Sequence, residues 1–327
     1  MDTPIPTEEL ADRFRDRIKR LIVRVSFEER SVLISHLFGG QRNISVSAFA
    51  SKRHSVSASK NLEDFKKEWP DADVTELDTH DSLQPARDIA ELIDKHHKLD
   101  GLQNTFIDIT SFRREELLVL IAFLHSLNLP KTLNCWLGYV GAKTMATDWL
   151  ARNVTDHRSV VAFPGEIWPS RNTKLVIMAG VGEHDRARSI IEKYEPAKVL
   201  LGMSRECDSI NKEIYNQNRE FFFDLVKQFD GTEKRFEFSA RDPLQTVKDL
   251  EAAIILDDGF NIVIAPLSSK LSTIGAGLFA IRHPSVQICY APVEEYNEET
   301  YSTPDDKVHI ISLTDLFSSL PYEAVHK

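Results

Sequence analysis

The chain has 327 residues, of which 42% are hydrophobic and 28% charged, and a formal net charge of −10. That balance belongs to a soluble globular protein with room for about two domains. It makes long nucleic acid a poor partner, while a small anion in a locally basic pocket stays open. No apolar run approaches the ~20 residues that cross a bilayer. The start, "MDTPIPTEELADRFRDRIKRL", has no apolar core of a secretory signal. Cys135, Cys207 and Cys289 are far apart and odd in number, which excludes a disulfide framework or cysteine zinc site and points to a reducing cytoplasm.

Short β-rich runs alternate with helical patterns along the whole chain. The fold class this implies is α/β, built from βαβ units with mainly parallel sheets. "KRLIVRVSFEERSVLISHLFGGQRNISVSAF" predicts a strand over Leu21 to Val25, a loop, a helix over Glu29 to Phe38 and a strand over Ile44 to Ala48. The run after Asp108 puts Leu117, Leu118, Ile121 and Leu124 on one helix face, stopped before Pro130. Residues 146–171, with Asn153, Pro164, Gly165 and Pro169, read as a connector, with Trp149 and Trp168 packing on the body.

The second part repeats the first. "NTKLVIMAGVGEHDRARSIIEKYEPAKVLLG" predicts strand Leu175 to Ala179, helix Asp185 to Tyr194 and strand Lys198 to Leu201. Matching the loops pairs Glu28 with His184, Glu29 with Asp185 and Arg30 with Arg186. "HDSLQPARDIAELI" then matches "RDPLQTVKDLEAAI", "NTFIDITSFRREELLVLIAFLHSL" matches "FNIVIAPLSSKLSTIGAGLFAIRHP", and "LNCWLGYV" matches "VQICYAPV", at a nearly constant spacing. Four matches in one order predict two tandem Rossmann-like halves related by internal duplication. The expected boundaries are 1–145 with an N-terminal helix, the connector, and 172–327. A further helix follows Cys207, with Phe221, Phe222, Leu225 and Phe229 as its core face. "VEEYNEETYSTPDDK" reads as a loop before the last strand, "KVHIISL".

Ligands of open parallel sheets collect beyond the C-terminal strand ends, where strand order reverses. That selects the loops after the first and fourth strand of each half. In "SFEERS", Ser26, Glu28 and Arg30 face a ligand, or Glu28 and Glu29 cap the next helix. In "GVGEHDRA", Gly180 and Gly182 suit close backbone approach, with Glu183, His184 and Arg186 beside them. No GxGxxG follows, so no dinucleotide cofactor is expected.

In "IDITSFRREE", Thr110 or Ser111 caps the helix, with Glu115 completing a capping box. Arg113 and Arg114 stand at a helix start, where cations are disfavoured. They require phosphate or a carboxylate, and Glu28, Glu29 and Asp108 are the internal alternatives. "APLSSKLST" offers Ser268, Ser269 and Lys270, a cap or a phosphate cradle. It is not a Walker A loop. Both halves thus carry two hydroxyls and then a cation at one turn.

Catalytic signals are weaker. Glu28, Asp108 and Glu183 are the candidate acids. The histidines, among them His54 and His80, show no metal-ligand spacing, and no metal site is expected. His96 and His97 read as a solvated helix end. Tyr139 with Tyr290, and Tyr296 with Tyr301, stack on a base or pack in the core.

An apolar strand, an acid, a hydroxyl turn and then a cation, as in "IDITSFRRE" and "APLSSKLST", resembles the CARF domain, a sensor of cyclic oligonucleotides in prokaryotic antiviral signalling. Two such halves resemble the SAVED domain and tandem-CARF effectors. The resemblance implies that Thr110, Ser111, Arg113, Ser268, Ser269 and Lys270 face the ligand's phosphates, with Ser26 to Arg30 and Gly180 to Arg186 completing the pocket. Phe112 and Leu267 stand at or beside turns where the family carries glycines. The function implied is sensing of a phosphorylated, cyclic or linear, nucleotide in a cleft between the halves, relayed to a separate effector chain or through a homo-oligomer. An enzyme hydrolysing such a molecule and a structural subunit of a defence complex are the alternatives.

Overall fold

The computed structural model describes residues 4–41, 43–53, 55–78, 81–228, 234–256, 259–318 and 320. His54, His80 and Phe229, named above, lie outside them.

The chain opens with β1 (Ile5–Pro6), α1 (Leu10–Phe14), β2 (Arg20–Arg24) and a short α2 (Leu33–Leu37). Then come β3 (Ser45–Ser51), α3 (Val56–Glu68), β4 (Asp73–Leu77), α4 (Gln84–Asp100), β5 (Thr105–Asp108), α5 (Arg114–Ser126) and β6 (Cys135–Met145). The expected connector holds two strands, β7 (Ala151–Val154) and β8 (Arg158–Ser159). After it run β9 (Thr173–Met178), α6 (His184–Tyr194), β10 (Lys198–Ser204), α7 (Lys212–Gln228), β11 (Lys234–Phe238) and α8 (Pro243–Ala253). The chain finishes with β12 (Asn261–Pro266), α9 (Lys270–Arg282), β13 (Gln287–Tyr290), β14 (Val293–Tyr296), β15 (Ser302–Ser312) and α10 (Leu313–Phe317).

Two compact units result. Unit 1 is Met1–Val140 with Asp306–Lys327, and unit 2 is Gly141–Asp305. The expected second half over 172–327 is therefore corrected at both ends. The connector belongs to unit 2, and the final strand and helix return to unit 1.

Unit 1 holds a sheet of order β1-β15-β6-β5-β2-β3-β4. Strands β4 through β6 of that order are parallel, with β2 flanked by β3 and β5. Every residue of β2, "RLIVR", is buried, as a central parallel strand covered on both faces requires. The core gathers Leu21, Val23, Phe106 and Trp136 with Val308 and Ile310 from the returning strand.

Unit 2 holds a sheet of order β11-β10-β9-β12-β13-β8, parallel from β11 to β13 with β9 flanked by β10 and β12. In both units the parallel strands, counted in chain order, lie third-second-first-fourth-fifth. This is a Rossmann-like arrangement, and the order reverses between the first and fourth strands. Its core joins Leu175, Ile177, Leu201, Phe222, Val263 and Leu267. Helix α9 is buried over Leu271–Ala280. A β-carbon on Gly275 would stand 2.4 Å from Thr246 Cβ of α8, so that glycine serves helix-on-helix packing. The segment expected as an acidic loop instead supplies β14 and the start of β15. Phe222 and Leu225 are buried on α7 as expected, while Phe223 is 45% exposed.

Candidate functional site

The strand order puts the four selected loops at the C-terminal ends of β2, β5, β9 and β12, beside the reversal in each unit.

In unit 1 the first loop is tied down by its own side chains. Ser31 Oγ donates to Ser26 O at 3.1 Å and accepts from Ser26 N–H at 3.2 Å. Ser26 Oγ accepts the N–H of Glu28 at 3.3 Å. Asn61 Nδ2 donates to Ser26 O at 2.8 Å and Glu28 O at 3.3 Å. Glu28 caps nothing with its side chain. Instead it takes Arg30 Nε at 2.6 Å, and Arg30 Nη1 also donates to Val140 O at 3.1 Å. Unit 2 carries the same kind of pair. Glu183 receives Arg186 Nη1 at 3.0 and 2.8 Å, and both residues are 4% exposed. Burial opposes the Arg186 charge, but the Glu183 carboxylate holds its pKa above the ordinary value.

The fourth-strand turn of unit 1 departs from the expected cap. Arg113, not Thr110 or Ser111, is the N-cap of α5, and Glu116, not Glu115, reaches back to its N–H at 2.9 Å. Ser111 donates its hydroxyl to Arg24 O. Thr110 Oγ1 accepts the N–H of Val140 at 3.0 Å. Both hydroxyls latch the turn to neighbouring strands. Phe112 is fully buried, edge-on to Phe49 at 5.8 Å between centroids, so this turn is anchored by a core aromatic where the resembled family has a glycine.

Sequence reasoning missed the ion pair beneath this turn. Arg24 Nε and Nη2 each reach Glu116 at 3.2 Å, with both side chains almost fully buried. Burial works against the Glu116 anion, but Arg24, with Arg113 behind it, holds the carboxyl below its usual range. An arginine closing the apolar run "LIV" is the one signal that could have shown it.

Asp108 ends β5 and is 1% exposed. Oδ1 accepts Thr110 N–H at 2.9 Å, and Oδ2 has no hydrogen-bond partner among the described residues. Burial pushes its pKa up to about 7, against the opposing pull of the Thr110 hydrogen bonds and the nearby Arg30 charge.

In unit 2, Ser269 is the N-cap of α9. It accepts Ser272 N–H at 3.1 Å and donates to Ala240 O. Ser268 and Lys270 beside it are half-buried. Gly180 does approach a backbone closely, but the backbone is the chain's own: a β-carbon there would lie 2.0 Å from Leu267 O. Gly182 has φ +68, and a β-carbon on it would meet Leu150 Cγ at 2.6 Å. The loops after β9 and β12 are therefore in direct contact.

A cavity of about 520 Å³ opens beside the first loop of unit 2. Gly182, His184, Asp185 and Arg188 line one side, Phe221 of α7 another, and Trp149 a third. His184 Nε2 meets Phe221 O at 2.8 Å, and the two rings stand edge to face at 4.8 Å. Trp149 and Phe221 carried no site signal in the sequence, because they come from a presumed connector and a presumed core helix.

The remaining expectations resolve as packing. His96 is buried, not solvated, and meets Ser47 Oγ at 3.0 Å; burial and then the Arg20 charge lower its pKa to about 4. Tyr139 and Tyr290 are buried. Tyr296 and Tyr301 pack on each other at 6.1 Å. Trp168 is 52% exposed, against the expectation that it packs on the body. Among the described residues no three His, Cys, Asp or Glu side chains gather in a way that could hold a metal ion. No described helix is long and apolar enough to cross a membrane.

No protein-family model matches the chain, and none of the curated proteins does. Among solved structures, the UDP-GlcNAc 2-epimerase of Neisseria meningitidis bound to UDP-GlcNAc aligns over 76% of this chain and 77% of its own, at 9% identity and a TM-score of 0.24. The PLP-bound threonine synthase of Brucella melitensis aligns over 88% of this chain and 62% of its own, at 12% identity and a TM-score of 0.23. Likenesses this slight carry no argument about chemistry, and the Rossmann-like α/β fold rests on the chain's own strand order.

Proposed function

We propose that this protein is a cytoplasmic receptor for a phosphorylated nucleotide, cyclic or linear, and that it signals to a separate effector chain in antiviral defence. The observation that carries the reading is positional. The same strand order in both units sets Arg113 and Lys270 at the start of the helix that follows the fourth parallel strand, beside the reversal point. A helix N-terminus with an adjacent cation favours a phosphate. The shared order also fits two halves of common origin, which is part of this proposal.

Receptor is favoured over hydrolase by the state of the candidate acids. Glu28 is held by Arg30 and Glu183 by Arg186. Asp108 is 1% exposed, out of reach of solvent. A general base must reach the attacking water; Glu28 and Glu183 are paired with arginines, and Asp108 is closed off by burial.

Thermal-shift measurements against linear and cyclic nucleotides test the reading. At least one nucleotide raises Tm, and Arg113→Ala and Lys270→Ala each weaken that ligand about tenfold, the loss of one charge-assisted contact. The nucleotide is recovered intact by chromatography. Absence of any shift, or full affinity in both variants, overturns the assignment.

A further inference from the structure

The cavity beside α6 differs in kind from the hydroxyl-and-cation turn at β12. Its size is that of a small-molecule site. Its walls are held in place by the chain itself. Asn218 Nδ2 ties α7 to Ala179 O at the end of β9, at 3.2 Å. His184 ties the start of α6 to Phe221 O. Asn297 Nδ2 holds Trp149 O at 3.0 Å and Asp148 Oδ1 at 3.2 Å. Arg152 sits 4.2 Å from the centroid of the Trp149 ring and helps fix its plane.

Two features select the occupant. Trp149 and Phe221 give the cavity aromatic walls, and any nucleobase has a π face to lay against such a surface. The charge is acidic on balance: Asp148, Asp185 and Asp224 outnumber Arg188 and Lys227, and Lys227 already pairs with Asp224 at 3.1 Å. Such a lining opposes a phosphate. It suits groups that donate hydrogen bonds, such as ribose hydroxyls and exocyclic amines, to carboxylate acceptors.

We propose that this cavity of unit 2 binds the nucleoside part of a ligand, a heteroaromatic base with its ribose, and excludes its phosphates. The assignment deepens the nucleotide reading above and rests on it for the ligand class.

Isothermal titration calorimetry on the full chain tests it, with adenosine, guanosine, cytidine and uridine and their 5′-monophosphates as probes. At least one nucleoside binds without its phosphate. Trp149→Ala and Phe221→Ala each weaken that nucleoside and its monophosphate by the same factor, about tenfold or more. Trp149→Phe, which keeps a π face, stays within about threefold of the native chain and shows that the loss is not misfolding. If monophosphates bind and Trp149→Ala leaves them unchanged, the cavity assignment falls while the nucleotide reading stands. If nucleosides bind through Trp149 and the added phosphate brings nothing, the cavity assignment stands and the phosphate turns are misassigned. If neither series binds, both are overturned.

Discussion

Asp108 and His96 show how burial turns ordinary residues into opposed pH-dependent terms. The Asp108 carboxyl moves from an ordinary 3.8 up to about 7 on folding. Between those values the native chain keeps a proton that the unfolded chain has lost, so stability falls as pH rises through that window. His96 moves from 6.5 down to about 4. Between those values the unfolded chain holds the extra proton, so stability falls as pH drops. The two nearly cancel in the wild type between about pH 4 and 6.5, and single variants separate them. Asp108→Asn keeps the acceptor for Thr110 N–H. In urea titrations it gains on the wild type from pH 4 upward, levelling above about pH 7 at a few kcal/mol. His96→Gln loses the acid sensitivity, so the wild type falls relative to it below pH 6.5. A gap that does not change with pH in either comparison would show that the group is solvated. The same scale explains the acids of the site. Glu28 and Glu183 were legible as loop carboxylates, but their capture by Arg30 and Arg186 was not. A sequence places residues in a loop, while side-chain partners depend on how that loop closes.

Strand and helix positions were largely legible because each parallel strand is an apolar run and each covering helix has an apolar face. Two kinds of element escaped. The helix expected over Glu29 to Phe38 shrinks to a short 3₁₀ turn and Leu33–Leu37, because Ser31 and Arg30 bond to loop and strand atoms. The acidic stretch after β13 begins with a strand, β14, where Glu295 faces Arg152 of β7, with Nε to Oε2 at 2.7 Å. Composition alone reads such a strand as loop. The contact between the loops after β9 and β12 rests on Gly180. Gly180→Ala forces Leu267 and Ser268 backbone away, since the new carbon would sit 2.0 Å from Leu267 O. Overpacking of this kind costs about 1–3 kcal/mol. Urea denaturation should show that loss, and nucleotide affinity should fall with it because the Lys270 turn is displaced. Unchanged stability would mean that the loops separate freely.

At the scale of the molecule, unit 2 is one continuous stretch and unit 1 is not. The core of unit 1 takes Val308 and Ile310 from the returning strand, and β15 lies between β1 and β6 in its sheet. A fragment of residues 141–305 therefore unfolds cooperatively by circular dichroism, while residues 1–140 alone do not. Cooperative unfolding of the 1–140 fragment would show that the returning strand is dispensable. The sequence by itself determined the α/β class, the parallel strands and the loops at their C-terminal ends, because hydrophobic period and turn chemistry are local properties. Only the tertiary structure decided that the last strand rejoins unit 1, that Arg24 and Glu116 meet, and that Trp149 and Phe221 line one cavity. Those facts join residues far apart in the chain, and no local pattern encodes which distant surfaces close upon each other.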